Sequence, residues 1–227
     1  MKLRTALVAA GAALALAAPT AANAADPSPT AKAAVRAGVA TIKDFRAEHG
    51  ELPGLLKGNK LVDPDSREMS VGYLPVLNGD RDGFCIAGGY ADRPRAKAWV
   101  YDSWSKTLRR KSEKQARTGG GACAAALREV DALVGRLDAA IDLELLVTGL
   151  TDRVADGKPL PATADEVVEA TGVDLVKQNR IAEYELTDPE QAAYRICVVN
   201  RTGAWAAYDT AGDDMTSGLS GGACRYS

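Results

Sequence analysis

Hydrophobic residues recur at the spacing i, i+4, i+7 in two separated parts of the chain. This spacing lines one side of a helix with apolar side chains, so it predicts an amphipathic helix in each part. A Leu-Pro pair, ending at Pro53 and again at Pro161, closes each helical stretch. The spaced residues are Val35, Val39 and Ile42 in the first helix and Leu143, Val147 and Leu150 in the second.

Three short runs of strand-forming residues follow each predicted helix. Turn residues separate the runs, and Asn78-Gly79 is a strong signal for a tight hairpin turn. Sequential strands joined by short turns form an antiparallel meander, which packs one face on a helix. The predicted strands are Ser70–Leu77, Phe84–Tyr90 and Ala96–Ser103 in the first part, and Arg180–Leu186, Ala192–Asn200 and Ala204–Thr210 in the second.

The strand segments belong to an internal repeat. The order Cys, Ala-Trp, Tyr-Asp, Gly-Gly-Ala-Cys runs from Cys85 to Cys123 and again from Cys197 to Cys224. We therefore predict an α+β fold of two tandem modules. Each module has an N-terminal amphipathic helix packed on a three- to four-stranded antiparallel meander, and a C-terminal loop closed by a disulfide. The predicted modules are residues 25–123 and 124–227, with a helix over 124–157 that doubles as the linker.

The first 24 residues have the pattern of an export signal. Lys2 and Arg4 precede an uncharged apolar run over 5–18, and an Ala-Asn-Ala ending at residue 24 supplies a cleavage pattern. The apolar run is shorter than the roughly 20 residues that a membrane-crossing helix needs. We therefore predict a Sec-type signal peptide and a secreted, extracellular bacterial protein without a membrane span.

Four cysteines in an exported chain predict two disulfides. Four cysteines allow three pairings, and their spacing alone does not choose among them. The symmetry of the repeat favours Cys85–Cys123 and Cys197–Cys224. Each bond would tie a C-terminal loop to the central strand of its module.

The charge is divided unevenly between the predicted modules. Residues 25–123 contain 17 Lys and Arg against 12 Asp and Glu, a net of +5, while residues 124–227 contain 9 against 18, a net of −9. This split indicates either electrostatic roles for the two halves or independent variation of two solvated surfaces. The second interpretation is the simpler one.

Basic residues crowd the stretch between residues 93 and 117. Such a patch suits a cell-wall polyanion such as teichoic acid better than nucleic acid, and it also suits an acidic protein partner, including the second module. A solvated loop with no partner is the simpler alternative. The candidate polyanion-binding residues are Arg93, Arg95, Lys106, Arg109, Arg110, Lys111 and Lys114.

Signals for catalysis are weak, and we predict no catalytic residue. The single His, His49, falls at a predicted helix end, where it can interact with the last carbonyls. Ser220 lies in a Gly-x-Ser-x-Gly pattern, but the strand and helix that this motif needs are not predicted around it. The cysteines also lack the spacing of a zinc site.

Calcium is the one cofactor for which the sequence offers candidate ligands. Asp209, Asp213 and Asp214 cluster before the last cysteine, and carboxylate oxygens in Gly-containing loops bind Ca²⁺. A solvated acidic turn without a cation is the simpler interpretation.

Aromatic residues recur in the repeat, with Trp99 and Tyr101 in the first copy and Trp205 and Tyr208 in the second. Exposed aromatic side chains would indicate carbohydrate or protein binding. Because they fall on strands beside the Cys strand, we instead expect them to pack in the core against the helix.

The order of elements resembles the soluble headgroup of type IV pilins and pseudopilins, particularly pilin-like proteins of actinobacteria. A helix with a Leu-Pro stop precedes a Cys strand, a Tyr-Asp strand and a Gly-rich loop ending in Cys. The likeness is carried by Phe84 to Cys123 and by Tyr194 to Cys224. It implies an exported head in tandem, and some pseudopilins bind calcium in the C-terminal loop. Pilins also have an apolar N-terminal assembly helix, which this sequence lacks after residue 24.

These patterns together predict a secreted, non-catalytic, pilin-head-like protein that acts in binding or scaffolding at the cell envelope or outside the cell. One alternative is a secreted hydrolase with an unrecognised site. Another is a head-only subunit associated with a pilus or secretion filament. The sequence does not indicate an oligomeric state.

Overall fold

The computed structural model describes residues 29–63, 69–77, 81–90, 97–219, 221 and 224–226. The predicted signal peptide, the Asn78-Gly79 turn, and the candidate residues Arg93, Arg95 and Ser220 lie outside the described residues. The chain forms two compact units, Met1–Glu129 and Val130–Ser227. Each unit combines helices with one four-stranded sheet. The fold is therefore α+β.

The first unit has two helices followed by a four-stranded meander. The strands pair in sequence order, β1-β2-β3-β4, and every pair is antiparallel. Two further helices follow, and the chain passes into the second unit within the longer one. The elements are α1 (Pro29–His49), α2 (Leu55–Val62), β1 (Met69–Val76), β2 (Gly83–Tyr90), β3 (Ala98–Asp102), β4 (Thr107–Lys111), α3 (Glu113–Thr118) and α4 (Gly121–Ala155).

The predicted apolar stripe of α1 packs against one face of this sheet. Val35 and Ile42 are fully buried there beside Ile86 of β2, and each such side chain stabilises the fold by about 1.5–3 kcal/mol. The short helix α2 occupies the stretch after the Leu-Pro stop, where the sequence predicted only a variable loop. Gly58 of α2 is required at its position because a side chain there would collide with the ring of Tyr73.

The start of α4 packs against the opposite face of the same sheet. Cys123 is bonded to Cys85 of β2, and Ala122 and Ala126 are buried against Val76 of β1. The pairing is the one that the repeat favours. However, Cys123 lies in a helix rather than in a terminal loop, because the helical pattern of α4 already begins at Gly121.

The second unit contains the rest of α4, one short helix and the second meander. Its strands also pair antiparallel in sequence order, β5-β6-β7-β8. The short helix α5 lies where the sequence predicted a loop after the second Leu-Pro stop. The elements are α5 (Ala164–Thr171), β5 (Asn179–Asp188), β6 (Ala193–Asn200), β7 (Trp205–Asp209) and β8 (Asp214–Gly218).

The core of the second unit lies between α4 and one face of this sheet. Leu143, Leu146 and Leu150 are fully buried and belong to one cluster with Ile196 of β6. The other face of the sheet carries the disulfide Cys197–Cys224. The second pairing is therefore also the one that the repeat favours.

A tyrosine on the first strand of each sheet holds the corresponding Leu-Pro stop. The hydroxyl of Tyr73 donates to the carbonyl of Pro53 at 2.9 Å, and the hydroxyl of Tyr184 donates to the carbonyl of Pro161 at 2.9 Å. The prolines that the sequence paired by position thus make the same contact in both units.

The two tryptophans, in contrast, lie on different faces of their sheets. Trp99 packs against the α1 core, as predicted, but Trp205 packs with the disulfide on the face away from the α4 core, so that prediction is wrong for Trp205. One residue separates Trp99 from Tyr101, whereas two separate Trp205 from Tyr208. Because side chains alternate along a strand, the added residue turns Trp205 to the other face.

Candidate polyanion-binding site

The described basic candidates lie on a strand, on the turn before it and on the helix after it. Arg109, Arg110 and Lys111 belong to β4, the outer strand of the first sheet, and Lys114 belongs to α3. Lys106 is the last residue of the turn that precedes β4. The interpretation of this stretch as a solvated loop is therefore wrong for Arg109, Arg110, Lys111 and Lys114, whereas Lys106 does lie in a turn.

A hydrogen-bonded turn positions β4 and its cations. One oxygen of Asp102 accepts from the backbone N–H groups of Trp104 and Ser105, both at 3.1 Å. Lys106 then adopts a positive φ of 54°, which returns the chain to the sheet. Asp213 has a φ of 53° at the corresponding turn of the second unit. The hairpin is thus built by an Asx turn followed by one left-handed residue.

The alternation of side chains along β4 divides its cations between the two faces of the sheet. Arg110 pairs with Trp99 of β3, on the face that packs against α1. Arg109 pairs with Val100, which belongs to the cluster around the disulfide on the other face. Arg109 is exposed, whereas Arg110 is half-buried. The predicted basic run therefore forms two separate surfaces.

Helix α3 carries one exposed cation and one that is paired. A capping box starts the helix, because Ser112 accepts from the backbone of Gln115 while the Gln115 side chain accepts from the backbone of Ser112. Arg117 forms an ion pair with Glu113 at 2.7 Å. Lys114 is exposed on the same helix. Together, Lys106, Arg109 and Lys114 form the exposed set that we term the outer cations.

Two lysines of α1 lie over aromatic rings of β3. The ammonium of Lys32 is 4.6 Å from the ring centroid of Trp99, and that of Lys43 is 5.7 Å from the ring centroid of Tyr101. These are cation–π distances. Neither lysine was among the binding residues predicted from the sequence, although each directly follows a buried residue of α1.

Two of the three calcium candidates, Asp209 and Asp213, have separate side-chain partners, and the third, Asp214, is an exposed residue of β8. Asp209 is buried and accepts from Arg195 Nε at 2.6 Å and from the Ala211 N–H at 2.9 Å. The N–H of Ala211 lowers the pKa of Asp209, burial opposes this, and the guanidinium of Arg195 lowers it further. Asp213 accepts from the Tyr208 hydroxyl at 3.0 Å. Among the described residues, no group of three or more His, Cys, Asp or Glu could hold a metal ion.

The single histidine lies at the end of α1, as predicted. Its ring is stacked on Phe45 with centroids 4.0 Å apart, and its Nδ1 lies 3.0 Å from the Phe45 carbonyl. These contacts account for His49 as part of the helix terminus.

A buried polar cluster in the second unit was not predicted from the sequence. Asp142 is 2% exposed and accepts from the Val176 N–H at 2.9 Å and from Asn179 Nδ2 at 2.6 Å. Asn200 in turn donates to Asn179 at 2.6 Å. Burial and the charge of Asp142 raise the pKa of neighbouring Asp138. The cluster joins α4 to the segment before β5 and to β5 itself.

No family model matches the chain, and neither a curated protein nor a solved structure matches it. The geometry defines the protein as a two-unit, disulfide-containing α+β protein with a basic outer strand on its first sheet. Within the part of the chain that the structure describes, no helix is long and apolar enough to cross a membrane.

Proposed function

We propose that the protein is an exported, non-catalytic binding or scaffolding protein that attaches to a polyanionic polymer of the cell envelope. The observation that carries this proposal is the set of outer cations, Lys106, Arg109 and Lys114. All three side chains are exposed, and they occupy a turn, an outer strand and a helix that follow one another directly. A fixed surface of this kind offers several charges at once to a polymer.

Several weak contacts are needed because each exposed ion pair contributes little. A single exposed pair is worth about 0.2–1 kcal/mol, so one lysine would not retain a polymer. When a chain of phosphates contacts several cations, the binding free energies of the ion pairs add up. Counterions are released at the same time, which makes the affinity dependent on salt.

The two disulfides support the export part of the proposal. Structural disulfides persist in oxidising compartments and are rare in reducing ones. Both cysteine pairs of the chain are bonded. The predicted signal peptide over residues 1–24 points to the same compartment.

The arrangement of each unit supports a scaffold of the pilin-head kind. In each unit a long helix packs on a four-stranded antiparallel meander that carries one disulfide. This is the arrangement that the resemblance to pilin headgroups implies. In that interpretation the units are rigid supports, and the binding surface is specific to the first of them.

Charged outer strands also have a protective role, because they discourage edge-to-edge aggregation of sheets. That role requires charge only on β4 itself. Lys106 and Lys114 extend the positive surface onto the preceding turn and the following helix. We therefore favour a binding surface over simple protection of the sheet edge.

The test is retention of the protein, without its predicted signal peptide, on purified wall teichoic acid. The variant Lys106→Gln/Arg109→Gln/Lys114→Gln should bind the polymer about tenfold more weakly than the unmodified protein. Added salt should reduce the affinity of the unmodified protein more than that of the variant. The matched control, Lys177→Gln/Arg180→Gln/Arg201→Gln, removes three exposed charges from the second unit. Equal losses in both variants, or no retention of the unmodified protein, would contradict the proposal.

A further inference from the structure

The helix side of the first sheet extends beyond α1 to the outer strand. Helix α1 packs against β1, β2 and β3, and β4 lies one strand further out. Leu108 and Arg110 are the β4 side chains that point to the helix side, and both are half-buried at the margin of the core. Trp99 of β3 lies between them and the helix, also half-buried.

One flank of α1 supplies basic side chains to this side of the sheet. Lys32, Arg36 and Lys43 each follow a buried residue of the helix stripe, so they share one side of the helix. This side of the helix faces β3, because Lys32 and Lys43 lie over the aromatic rings of β3. The opposite flank contains Gly38, which lies against Val62 of α2.

We give the name α1–β4 cleft to the surface formed by Lys32, Arg36 and Lys43 of the helix, Trp99 of β3 and Arg110 of the outer strand. Lys32 and Lys43 are eleven residues apart, which is about 16 Å along a helix at 1.5 Å per residue. Alanines at positions 33, 40 and 47 alternate with the cations along this side of the helix. The cleft thus presents spaced positive charges beside small side chains.

We propose that the α1–β4 cleft binds a linear polyol phosphate, a chain of phosphodiesters joined by sugar alcohols, as in teichoic acids. This inference assigns the polymer a second surface, distinct from the outer cations, and it rests on the proposed function because it takes the same class of ligand. The cations of the cleft are spread along about 16 Å of the helix rather than gathered at one point, which suits a linear polymer with repeated charges. Each lysine held over a ring is restrained in position before the ligand arrives, which reduces the entropy lost on binding.

The same geometry disfavours single-stranded nucleic acid as the ligand. Such ligands are held by bases stacked on exposed aromatic rings. Here the Trp99 ring has Lys32 over it, and Tyr101 is 7% exposed. The rings support cations and do not offer faces to bases. A polymer without aromatic groups therefore fits the cleft better.

The second unit provides an internal comparison. In the second sheet, Ala206 of β7 occupies the position that Trp99 has in β3. On the outer strand β8, Met215 corresponds to Leu108 and Ser217 corresponds to Arg110. The α4 residues that follow its buried leucines are Glu144, Val147 and Thr151. None of these residues is a cation. The cleft chemistry is thus specific to the first unit.

The test measures binding of a poly(glycerol phosphate) oligomer by calorimetry. The cleft variant Lys32→Gln/Lys43→Gln/Arg110→Gln should weaken binding about tenfold or more, while the second-unit control at positions 177, 180 and 201 should not. Lys32→Arg should retain binding, which excludes simple loss of the lysine's packing. In addition, ligand should change tryptophan fluorescence in the unmodified protein but not in Trp99→Phe.

The outcomes separate this inference from the proposed function. If the outer-cation variant loses affinity and the cleft variant does not, the polyanion proposal stands and the cleft is overturned. If the cleft and control variants lose affinity equally, the cleft is also overturned. Binding of single-stranded DNA of equal charge with the same affinity would overturn the ligand class. If neither polymer binds, both proposals fail.

Discussion

The carboxylate of Asp102, at the end of β3, accepts a hydrogen bond from the backbone N–H of Cys123 at the start of α4, 3.0 Å away. Its other oxygen closes the β3–β4 turn. Asp102 is 3% exposed, and Cys123 is bonded to Cys85. One buried carboxylate therefore connects the hairpin that carries Lys106 and Arg109 with the first turn of a 35-residue helix.

Replacing Asp102 with Asn should destabilise the first unit by about 2 kcal/mol, because an amide has only one accepting oxygen. Either the turn or the helix start then loses its acceptor in a buried environment. Urea unfolding followed by circular dichroism measures the change. The control Asp44→Asn removes an exposed carboxylate from α1 and should change stability by only a few tenths of a kcal/mol.

The same carboxylate predicts a pH dependence. Burial raises the pKa of Asp102, but hydrogen bonds from the N–H groups of Cys123, Ser105, Ala122 and Trp104 outweigh it and hold the pKa below its usual value. A lowered folded pKa contributes stability that is complete above the unfolded value of about 3.9 and is lost as pH falls through the folded pKa. The difference in stability between the unmodified protein and Asp102→Asn should therefore shrink in acid. A difference that stays constant between neutral pH and pH 3 would argue against a charged Asp102.

The two tyrosines that hold the Leu-Pro stops should respond unequally to loss of the hydroxyl. Tyr73 is fully buried, so Tyr73→Phe leaves the Pro53 carbonyl without its donor and should cost about 1–2 kcal/mol. Tyr184 is half-buried, and water can replace its hydroxyl, so Tyr184→Phe should cost less. Chemical denaturation of both variants tests this order, and a larger loss for Tyr184→Phe would contradict it.

Ionisation of these hydroxyls gives a second measurement. Burial, with the charge of Glu166, raises the pKa of Tyr184 to about 12, and burial raises the pKa of Tyr73 further. A raised folded pKa means that stability is full below the unfolded value near 10 and falls as pH rises through the folded pKa. Alkaline unfolding should therefore accompany tyrosine ionisation, as an ultraviolet titration would show. Ionisation of Tyr73 in the intact fold would contradict this.

The helix stripes, the meander and the disulfide pairing were predictable because each depends on periodicity or on order along the chain. The strand β4 was missed because its sequence Thr-Leu-Arg-Arg-Lys is mostly polar, and an outer strand that is half exposed needs few apolar residues. Likewise β8, Asp-Met-Thr-Ser-Gly, has almost no hydrophobic pattern. In both cases the preceding Asx turn, rather than the strand itself, determines the hairpin.

The candidate site was predictable only in part, because face and register depend on single residues. The order of the repeat aligns Cys85 with Cys197 and Asp102 with Asp209. In the first sheet Cys85 lies opposite Asp102, but in the second sheet the residue opposite Asp209 is Arg195, two residues before Cys197. An ion pair of 2.6 Å between Arg195 and Asp209 thus lies where the first unit has its disulfide. The position of Lys32 over Trp99 likewise depends on which flank of α1 faces β3. The hydrophobic pattern of the helix identifies its buried side but not the direction of its two flanks.

Removing the two disulfides should have similar effects on stability. The loops that they close are 38 and 27 residues long, and chain entropy gives roughly 4 and 3.5 kcal/mol for them. The variants Cys85→Ala/Cys123→Ala and Cys197→Ala/Cys224→Ala test this by urea unfolding. A loss in one variant that is several times larger than in the other would show that loop closure is not the main contribution.

The disulfide and the Asp102 hydrogen bond should also be coupled, because Cys123 takes part in both. With the bond to Cys85 intact, the first turn of α4 is held beside the carboxylate, and its N–H groups are already in place. Without that bond the helix start can move, so Asp102→Asn should cost less than in the unmodified protein, by about 0.5–1 kcal/mol. In the variant without Cys197–Cys224, Asp102→Asn should cost the same as in the unmodified protein. Additive losses in both backgrounds would mean that Asp102 positions the hairpin alone and that the helix start is held by the disulfide.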